Sequence, residues 1–262
     1  MRHKNITLTF DGHSARLTLN RPDQLNAMTP DMGREMEAAV AEINDTPEAR
    51  VTVVRGAGRA FCAGGNLQAL AQEAGLPGDG PGLGDPRRFY EAFLSVRKLK
   101  SPTVAAINGH AIGAGLCLAL ACDLRVMHNK AKVGMTFVKL GIHPGMAATW
   151  TLPRLVGPAR AAEILYTGRI INAREALEIG LVNHISGDTF DHDVDSLVHE
   201  IAGSGPLAVR ALKETLAQSA TFTIEEAISR EARAQADTFK SEDASEGITA
   251  AMEKRTPDFK GR

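Results

Sequence analysis

Small residues mark the start of a predicted helix in the segment NGHAIGAGLCLALACD, residues 108–123. Gly113, Ala114 and Gly115 stand side by side, and no charged residue follows before Asp123. The first N–H groups of a helix have no partner within the helix and lie at the positive end of its dipole. Without bulky side chains, a ligand oxygen can approach these N–H groups, whether it belongs to a phosphate or to a developing oxyanion. Close packing of the helix against a strand explains the same residues as well.

A second segment of small residues, VVRGAGRAFCAGGNLQAL, spans residues 53–70. We predict a buried strand that ends at Arg55 and a tight turn at Ala63, Gly64 and Gly65. Small residues in such a turn expose backbone N–H groups, so the chain offers candidate donors from two separate loops. Two N–H groups that converge on one carbonyl oxygen polarise it, and removal of one such donor typically costs roughly 2.7–4 kcal/mol of transition-state stabilisation.

Neither segment fits the glycine pattern of a dinucleotide-binding site. That pattern is G-x-G-x-x-G. The position of its third glycine is occupied by Leu118 in one segment and by Phe61 in the other. The sequence also contains no P-loop motif and no GxSxG turn of a serine hydrolase. The residues therefore argue against nucleotide cofactors and against serine-hydrolase chemistry.

The charge balance and the cysteines bound the class of protein. The formal net charge is −1, so we expect no general attraction to nucleic acid or to an anionic membrane. Cys62, Cys117 and Cys122 form no CxxC pair, which predicts free thiols in a reducing compartment and no zinc site. The first residues alternate like a strand rather than a signal peptide, and the longest apolar stretch is too short to cross a bilayer. We expect a cytoplasmic globular protein without a metal.

Hydrophobic periodicity predicts an α/β fold. Alternating segments on both sides of residues 11–14 predict a β-hairpin, and short apolar runs later in the chain predict buried strands with helices between them. Thr29 and Pro30 predict the start of a helix. Its predicted apolar face consists of Met32, Met36, Ala39, Val40 and Ile43. We place a core in residues 1–200 and a helical C-terminal region in residues 201–262, within one structural unit.

Residues 74–86 are rich in glycine and proline, which predicts a mobile surface loop. The loop is either a tolerated insertion or a lid over a substrate. Asp79, Asp85 and Glu91 are acidic residues in or beside it that could reach a site.

Several motifs together cover nearly the whole chain: LNRPDQLNAMT, GAGRAFCAGGNL, SPTVAAINGHAIGAGLCLALACDLRV, LGIHPGMAATWTLPRLVG, EILYTGR, EALEIGLVN and, in residues 239–261, the pattern F.SED.SEGI.A..EKR.P.F.G. In this combination the sequence resembles the enoyl-CoA hydratase/isomerase family of the crotonase superfamily. The resemblance implies an α/β crotonase-like (ClpP/crotonase) fold of repeated ββα units, with a helical C-terminal region that forms homotrimers, often paired as hexamers. It also implies a coenzyme A thioester as substrate and no separate cofactor. Because this scaffold hosts several reactions, the superfamily is better defined than the reaction.

The resemblance assigns the candidate donors to two backbone positions. The thioester oxygen would lie between the N–H groups of Ala63 and Ala114. A thioester polarised in this way has an acidic Cα–H and an electrophilic Cβ. The other predicted contacts with the CoA thioester are Leu25, Ala27, Gly64, Gly65, Asn66, Leu67 and Gly113.

The acid/base positions of the family carry no acid in this chain. Hydratases of the family use two glutamates, and the chain has Cys117 and Phe137 in their places. Related isomerases and dehalogenases carry a carboxylate where this chain has Gly145. Cys117 is either a thiol acidified by the helix start or, as its apolar neighbours favour, a buried inert thiol, and Phe137 is predicted to fill the acyl pocket. His143 is the nearest titratable side chain, and it is either the acid/base group or a loop histidine bonded to backbone.

Three functions stay open at this point. The favoured one is an enzyme of the enoyl-CoA hydratase/isomerase type with weak classical hydratase activity. Its acid/base group would then be at another position, such as His143. The second is an acyl-CoA-binding protein that kept the pocket and lost the chemistry. The third is a different crotonase reaction, such as isomerisation or hydrolysis, that needs only the polarised carbonyl and an oriented water.

Overall fold

The described part of the chain, residues 3–77 and 82–262 of a computed structural model, forms two β-sheets surrounded by helices. Its strands are β1 (Ile6–Asp11), β2 (Ser14–Leu19), β3 (Val51–Gly56), β4 (Ala60–Cys62), β5 (Thr103–Ile107), β6 (His110–Ile112), β7 (Leu124–His128), β8 (Lys132–Gly134), β9 (Ile170–Asn172) and β10 (His184–Ser186). Its helices are α1 (Pro30–Asn44), α2 (Leu67–Glu73), α3 (Pro86–Leu94), α4 (Ala114–Ala121), α5 (Ala148–Val156), α6 (Pro158–Thr167), α7 (Ala173–Glu178), α8 (Phe190–Ala202), α9 (Pro206–Ser219), α10 (Ile224–Thr238) and α11 (Glu242–Glu253).

The larger sheet has the strand order β1-β2-β3-β5-β7-β10. Strands β1 and β2 pair antiparallel, with Asp11 opposite Ser14, so the predicted hairpin is confirmed. The other neighbours in this sheet are parallel. Parallel strands are normally covered on both faces, which fits their nearly continuous apolar sequences.

The smaller sheet has the order β4-β6-β8-β9 and collects the second strand of each repeated unit. In the pairs β3–β4, β5–β6 and β7–β8, the first strand joins the larger sheet and the second joins the smaller one. Helix α2 follows the first pair, α4 follows the second, and a short 3₁₀ turn (Thr136–Leu140) with α5 follows the third. The repeated ββα units that the resemblance implies are therefore present.

The two faces of the larger sheet pack against different helices. On one face, the main core includes the apolar sides of α1, α3 and α4. All five residues of the predicted apolar face of α1 are buried, and the Thr29 side chain accepts a hydrogen bond from the Met32 N–H as predicted. On the other face, Val51 and Val53 of β3 pack with Phe190 and Val194 of α8.

Helix α4 differs from its neighbours because all eight of its residues are buried. An ordinary surface helix keeps a polar face for solvent. Helix α4 lies inside the protein, which explains why its sequence lacks charge. Its N-terminus is therefore held rigidly against the surrounding strands.

The C-terminal residues form helices α9, α10 and α11. The predicted division between residues 200 and 201 falls inside α8, which ends at Ala202. Helix α10 buries no residue within this chain. No helix in residues 3–77 or 82–262 is both long and apolar enough to cross a membrane.

Candidate active site

Two segments distant in sequence lie side by side to form the first wall of the site. The Ala63 N–H donates to the Leu25 carbonyl at 2.9 Å, and the Met28 N–H donates to the Gly64 carbonyl at 2.8 Å. The Asn66 N–H donates to the Met28 carbonyl at 3.2 Å. Residues 25–28 therefore run along the turn of residues 63–66, which brings the predicted contacts Leu25 and Ala27 next to it.

Asn26 holds this arrangement, and our sequence reasoning missed it. Its side chain is fully buried, and its Nδ2 donates to the carbonyls of Ala57 at 2.9 Å and Ala60 at 2.8 Å. Its Oδ1 accepts from the Arg21 N–H at 2.9 Å. Leu25 and Asn26 both have left-handed backbone angles, with φ of 50° and 57°. Asparagine tolerates this conformation better than most residues, which is the signal that could have identified it.

The start of α4 touches the same turn. A Cβ atom on Gly64, whose φ is +101°, would lie 2.8 Å from the Ile112 carbonyl oxygen and 3.6 Å from the Ala114 nitrogen. A Cβ atom on Gly115 would overlap the Cys62 carbonyl oxygen. Close backbone packing therefore accounts for Gly115 and Gly64. The two small-residue segments of the sequence meet at one place.

The backbone N–H groups at this junction differ in availability. The Ala63 N–H is already used by the Leu25 carbonyl, so it is not free to act as the donor that the sequence analysis assigned to it. Within the described residues, the N–H groups of Gly65 and Ala114 donate to no protein acceptor. Gly113, with φ of 55°, turns the chain into α4 and leaves the Ala114 N–H at the first helical position. The free pair is Gly65 and Ala114 rather than Ala63 and Ala114.

Asn66 and Leu67 follow the turn directly. The Asn66 side chain caps α2 by accepting from the N–H groups of Gln68 and Ala69 at 3.0 and 3.2 Å. The Leu67 side chain is 69% exposed. Asn66 therefore fixes the end of the turn, while Leu67 is available for contact with a ligand.

A polar groove of about 760 Å³ opens beside these residues. It is lined on one side by Asn66, Gln68 and Ala69 and on the other by the chain around residues 20–34. Its basic side chains are Lys4, Arg21 and Arg34, and Arg34 forms an ion pair with Asp31.

Cys117 lies in the apolar interior behind the start of α4. Its Sγ is 3.8 Å from the Sδ of Met135 and 3.7 Å from the carbonyl oxygen of Gly145. Burial raises the pKa of the Cys117 thiol to about 12. The helix start does not make this thiol acidic, so the structure favours the buried, inert interpretation.

Phe137 lies beside Gly113, the residue that precedes α4. It belongs to the 3₁₀ turn Thr136–Leu140 and packs against the main core. Its ring atom Cζ would be 3.8 Å from a Cβ atom on Gly113. The aromatic ring therefore borders the start of α4, where it adds an apolar surface and no proton-transfer group.

Tyr90 lies at the third empty acid/base position. A Cβ atom on Gly145 would be 2.5 Å from both the Cζ and the hydroxyl oxygen of Tyr90. Burial, followed by the nearby Cys117 thiol, raises the pKa of the Tyr90 phenol. Tyr90 is not predicted from the sequence, because helical periodicity indicates which face of α3 is buried but not what that face contacts.

The titratable candidates from the sequence make contacts of their own in the described residues. His143 is exposed, and a ring N–H donates to the carbonyl of its neighbour Pro144 at 2.7 Å. Asp85 caps α3 by accepting from the Arg87 N–H, and Glu91 forms an ion pair with Arg87. In the described part of the chain, no hydrogen bond joins these side chains to the Gly65–Ala114 junction. Asp79 lies outside the described residues.

Comparison with known proteins places the chain in a family. The enoyl-CoA hydratase/isomerase family matches residues 11–262. The chain is 37% identical to crotonyl-CoA hydratase of Syntrophomonas wolfei over 99% of both chains. It is 33% identical to the short-chain-enoyl-CoA hydratase of Clostridium acetobutylicum over 100% of both. The crystal structure of an enoyl-CoA hydratase from Bacillus anthracis is similar, with a TM-score of 0.90 and 34% identity over 99% of this chain and 100% of that one.

The protein belongs to the enoyl-CoA hydratase/isomerase family, and its fold is crotonase-like, as the sequence analysis predicts.

Proposed function

We propose that the protein is an acyl-CoA-transforming enzyme that holds the thioester carbonyl oxygen between the N–H groups of Gly65 and Ala114. The observation that carries this proposal is the pair of unused N–H groups on two touching loops. Donors fixed in a rigid backbone stabilise negative charge on the oxygen without having to reorganise during the reaction. The buried α4 adds the positive end of its dipole at the same point.

The chemistry follows from the polarised thioester. Withdrawal of charge into the oxygen makes the β-carbon of a 2-enoyl thioester electrophilic, and it stabilises the enolate that forms when a nucleophile adds there. Both quoted relatives are named as hydratases, which supports addition of water as the reaction. Cys117 and Phe137 replace the two customary glutamates, so we expect turnover below that of a classical hydratase.

The polar groove is the proposed binding surface for the coenzyme A portion. It is lined by Asn66, which follows Gly65 in the chain, and by Lys4, Arg21 and Arg34. Basic side chains suit the phosphate groups of coenzyme A. Leu25, Ala27 and the exposed Leu67 are proposed to border the pantetheine arm, and no further cofactor takes part.

An acyl-CoA-binding protein without catalysis is the second candidate. It is favoured by the inert Cys117 thiol, the phenyl ring of Phe137 and the exposed position of His143. Isomerisation or hydrolysis in the same pocket would also use the polarised carbonyl. Product analysis separates these functions.

The test is to incubate the purified protein with saturated, 2-enoyl and 3-enoyl CoA thioesters and to resolve the products by chromatography and mass. Gain of one water on a 2-enoyl thioester is the expected result. A product of unchanged mass and altered retention would indicate an isomerase, and free coenzyme A would indicate a hydrolase. Return of every thioester unchanged, with binding retained, would overturn the enzymatic proposal in favour of the binding protein.

The helical C-terminal region is the proposed contact between copies of the chain. No residue of helix α10 is fully buried within the chain, and large apolar side chains of this region are exposed: Leu212, Leu216, Ile224, Ile228, Phe239, Ile248 and Met252. Such an apolar surface is typical of an oligomer contact. We expect a homotrimer or hexamer by light scattering after gel filtration, and a monomer at micromolar concentration would contradict this. The three free, buried cysteines fit a cytoplasmic location.

A further inference from the structure

Tyr90 stands where the side chain of residue 145 would otherwise project. Its phenol approaches the Gly145 backbone so closely that even a methyl group at that position would overlap the ring. The neighbouring Phe89 and Phe93 of α3 are buried in the core and hold the helix in place. The Tyr90 hydroxyl itself makes no hydrogen bond within the described part of the chain. A half-buried hydroxyl without a protein partner is available to a ligand or a water.

The same wall continues to Cys117 and then to the start of α4. The Cys117 Sγ lies 3.7 Å from the Gly145 carbonyl oxygen. Ala114 and Cys117 are three residues apart on one face of the helix, about 4.5 Å along its axis. An acyl chain that begins at the Ala114 N–H and runs toward Cys117 therefore carries its second and third carbons to the wall formed by Tyr90 and Gly145.

We infer that the Tyr90 hydroxyl is the catalytic group that faces the α- and β-carbons of the acyl chain and guides the water that adds to them. This inference rests on the proposed function, because it needs a thioester held at Gly65 and Ala114. It also explains how the site operates without the two glutamates. A hydroxyl both donates and accepts hydrogen bonds, so one tyrosine can do work for which the family uses two side chains.

In the proposed step, Tyr90 receives one proton and gives one proton. The water oxygen bonds to the β-carbon, and the electron pair of the double bond moves toward the α-carbon and the thioester oxygen held by the two N–H groups. The Tyr90 oxygen accepts one proton from the water and gives its own proton to the α-carbon. The product is the 3-hydroxyacyl thioester, and Tyr90 ends in its starting state. A tyrosine phenol carries its proton at neutral pH, and burial raises the pKa of Tyr90 further above its ordinary value.

The test uses Tyr90→Phe, which removes only the hydroxyl, with Tyr166→Phe as the matched control. The chain has two tyrosines, and Tyr166 is 82% exposed on α6. For hydration of the best 2-enoyl thioester, we expect Tyr90→Phe to lower kcat by at least about 100-fold, the usual scale of general acid–base catalysis. Its KM, its affinity for a saturated acyl-CoA and its melting temperature should change little. Tyr166→Phe should match the unmodified protein.

A spectroscopic measurement separates contact from a structural role. Protein labelled with 3-fluorotyrosine gives two fluorine resonances, which the two phenylalanine variants assign. We expect a saturated acyl-CoA to shift the Tyr90 resonance and leave that of Tyr166 in place.

Each other result overturns the inference in a distinguishable way. If Tyr90→Phe hydrates the thioester at the rate of the unmodified protein, the role of Tyr90 is rejected and the proposed function stands. The same follows if the Tyr90 resonance does not shift when a thioester is bound. Conversion that adds no water rejects the water-guiding step. If the unmodified protein neither binds nor converts any thioester, the proposed function fails and the role of Tyr90 fails with it.

Discussion

The N–H of Ala63 donates to the carbonyl oxygen of Leu25 at 2.9 Å, and this bond decides which N–H of the turn is left for a ligand. The parallel pairing continues through Met28 with Gly64 and Asn66, which leaves Gly65 between two bonded residues with its own N–H unused. The unused N–H of the turn is therefore two residues beyond the one that the motif comparison selects.

Removal of the second donor tests the proposed oxyanion pair. Ala114→Pro deletes the N–H at the first position of α4, where proline is well tolerated in helices. We expect kcat to fall by roughly 10²–10³-fold, the usual cost of one lost oxyanion donor. Steady-state kinetics on the best thioester checks this.

The matched control is Ala114→Gly, which keeps the N–H and should retain most of the activity. Circular dichroism verifies that both variants fold. Full activity in a folded Ala114→Pro protein would show that the N–H of Ala114 does not hold the thioester oxygen.

The three thiols should be unreactive in the folded protein. Burial raises the pKa of Cys62, Cys117 and Cys122 to about 12 in each case, so the reactive thiolate is scarce at pH 8. We expect Ellman's reagent to modify none of the three at pH 8 in the native state and all of them after unfolding in guanidinium. Rapid native modification of Cys117 with loss of turnover would instead identify it as a reactive group of the site.

Local rules account for what the sequence predicted correctly. The β1–β2 hairpin and the apolar face of α1 follow from hydrophobic periodicity. The Thr29 side chain accepts from the Met32 N–H at the start of α1, as its sequence position predicts. Each of these features depends on residues within one or two turns of each other, so a single sequence contains the necessary information.

Contacts between distant segments account for what the sequence did not predict. The use of the Ala63 N–H depends on Leu25, which arrives from before α1. The place of Tyr90 depends on Gly145, which follows four further strands. No local pattern specifies which of several exposed N–H groups meets a partner, or which space an aromatic ring enters. The family motifs therefore indicate where the site lies, but the contacts between distant segments determine which N–H groups and side chains face a ligand.

The contacts of Glu246 with Arg255 and Asp258 should stabilise the fold less in acid than at neutral pH. The Arg255 side chain and the Asp258 N–H bind the Glu246 carboxylate and lower its pKa from 4.5 to about 2. A carboxyl with a lowered pKa in the folded state stabilises the fold above its unfolded pKa, and this contribution disappears as pH falls through the folded value. We expect Glu246→Gln to lower the melting temperature at pH 7, and the difference from the unmodified protein to shrink between pH 4.5 and about 2. A constant difference across this range would contradict the role of the charge.

A methyl group at Gly145 should displace Tyr90. It would lie 2.5 Å from the Cζ and hydroxyl oxygen of the ring and 2.9 Å from Cε1, so the ring must move. We expect Gly145→Ala to cost about 1–3 kcal/mol in the free energy of unfolding, as overpacking usually does. It should also reduce turnover, because the hydroxyl leaves its position. The control is Gly205→Ala, where φ is −57° and the nearest atom is 4.0 Å from the new methyl group.

The decisive comparison places the same change in a Tyr90→Ala background. Without the ring, the three contacts under 3 Å that the added methyl group would make are gone, so Gly145→Ala should then cost little further stability. Denaturant titration of the four proteins gives the coupling between the two positions, which is expected for side chains in direct contact. Equal costs in both backgrounds would mean that Tyr90 does not occupy the space beside Gly145, and the proposed placement of its hydroxyl on the acyl chain would be lost with it.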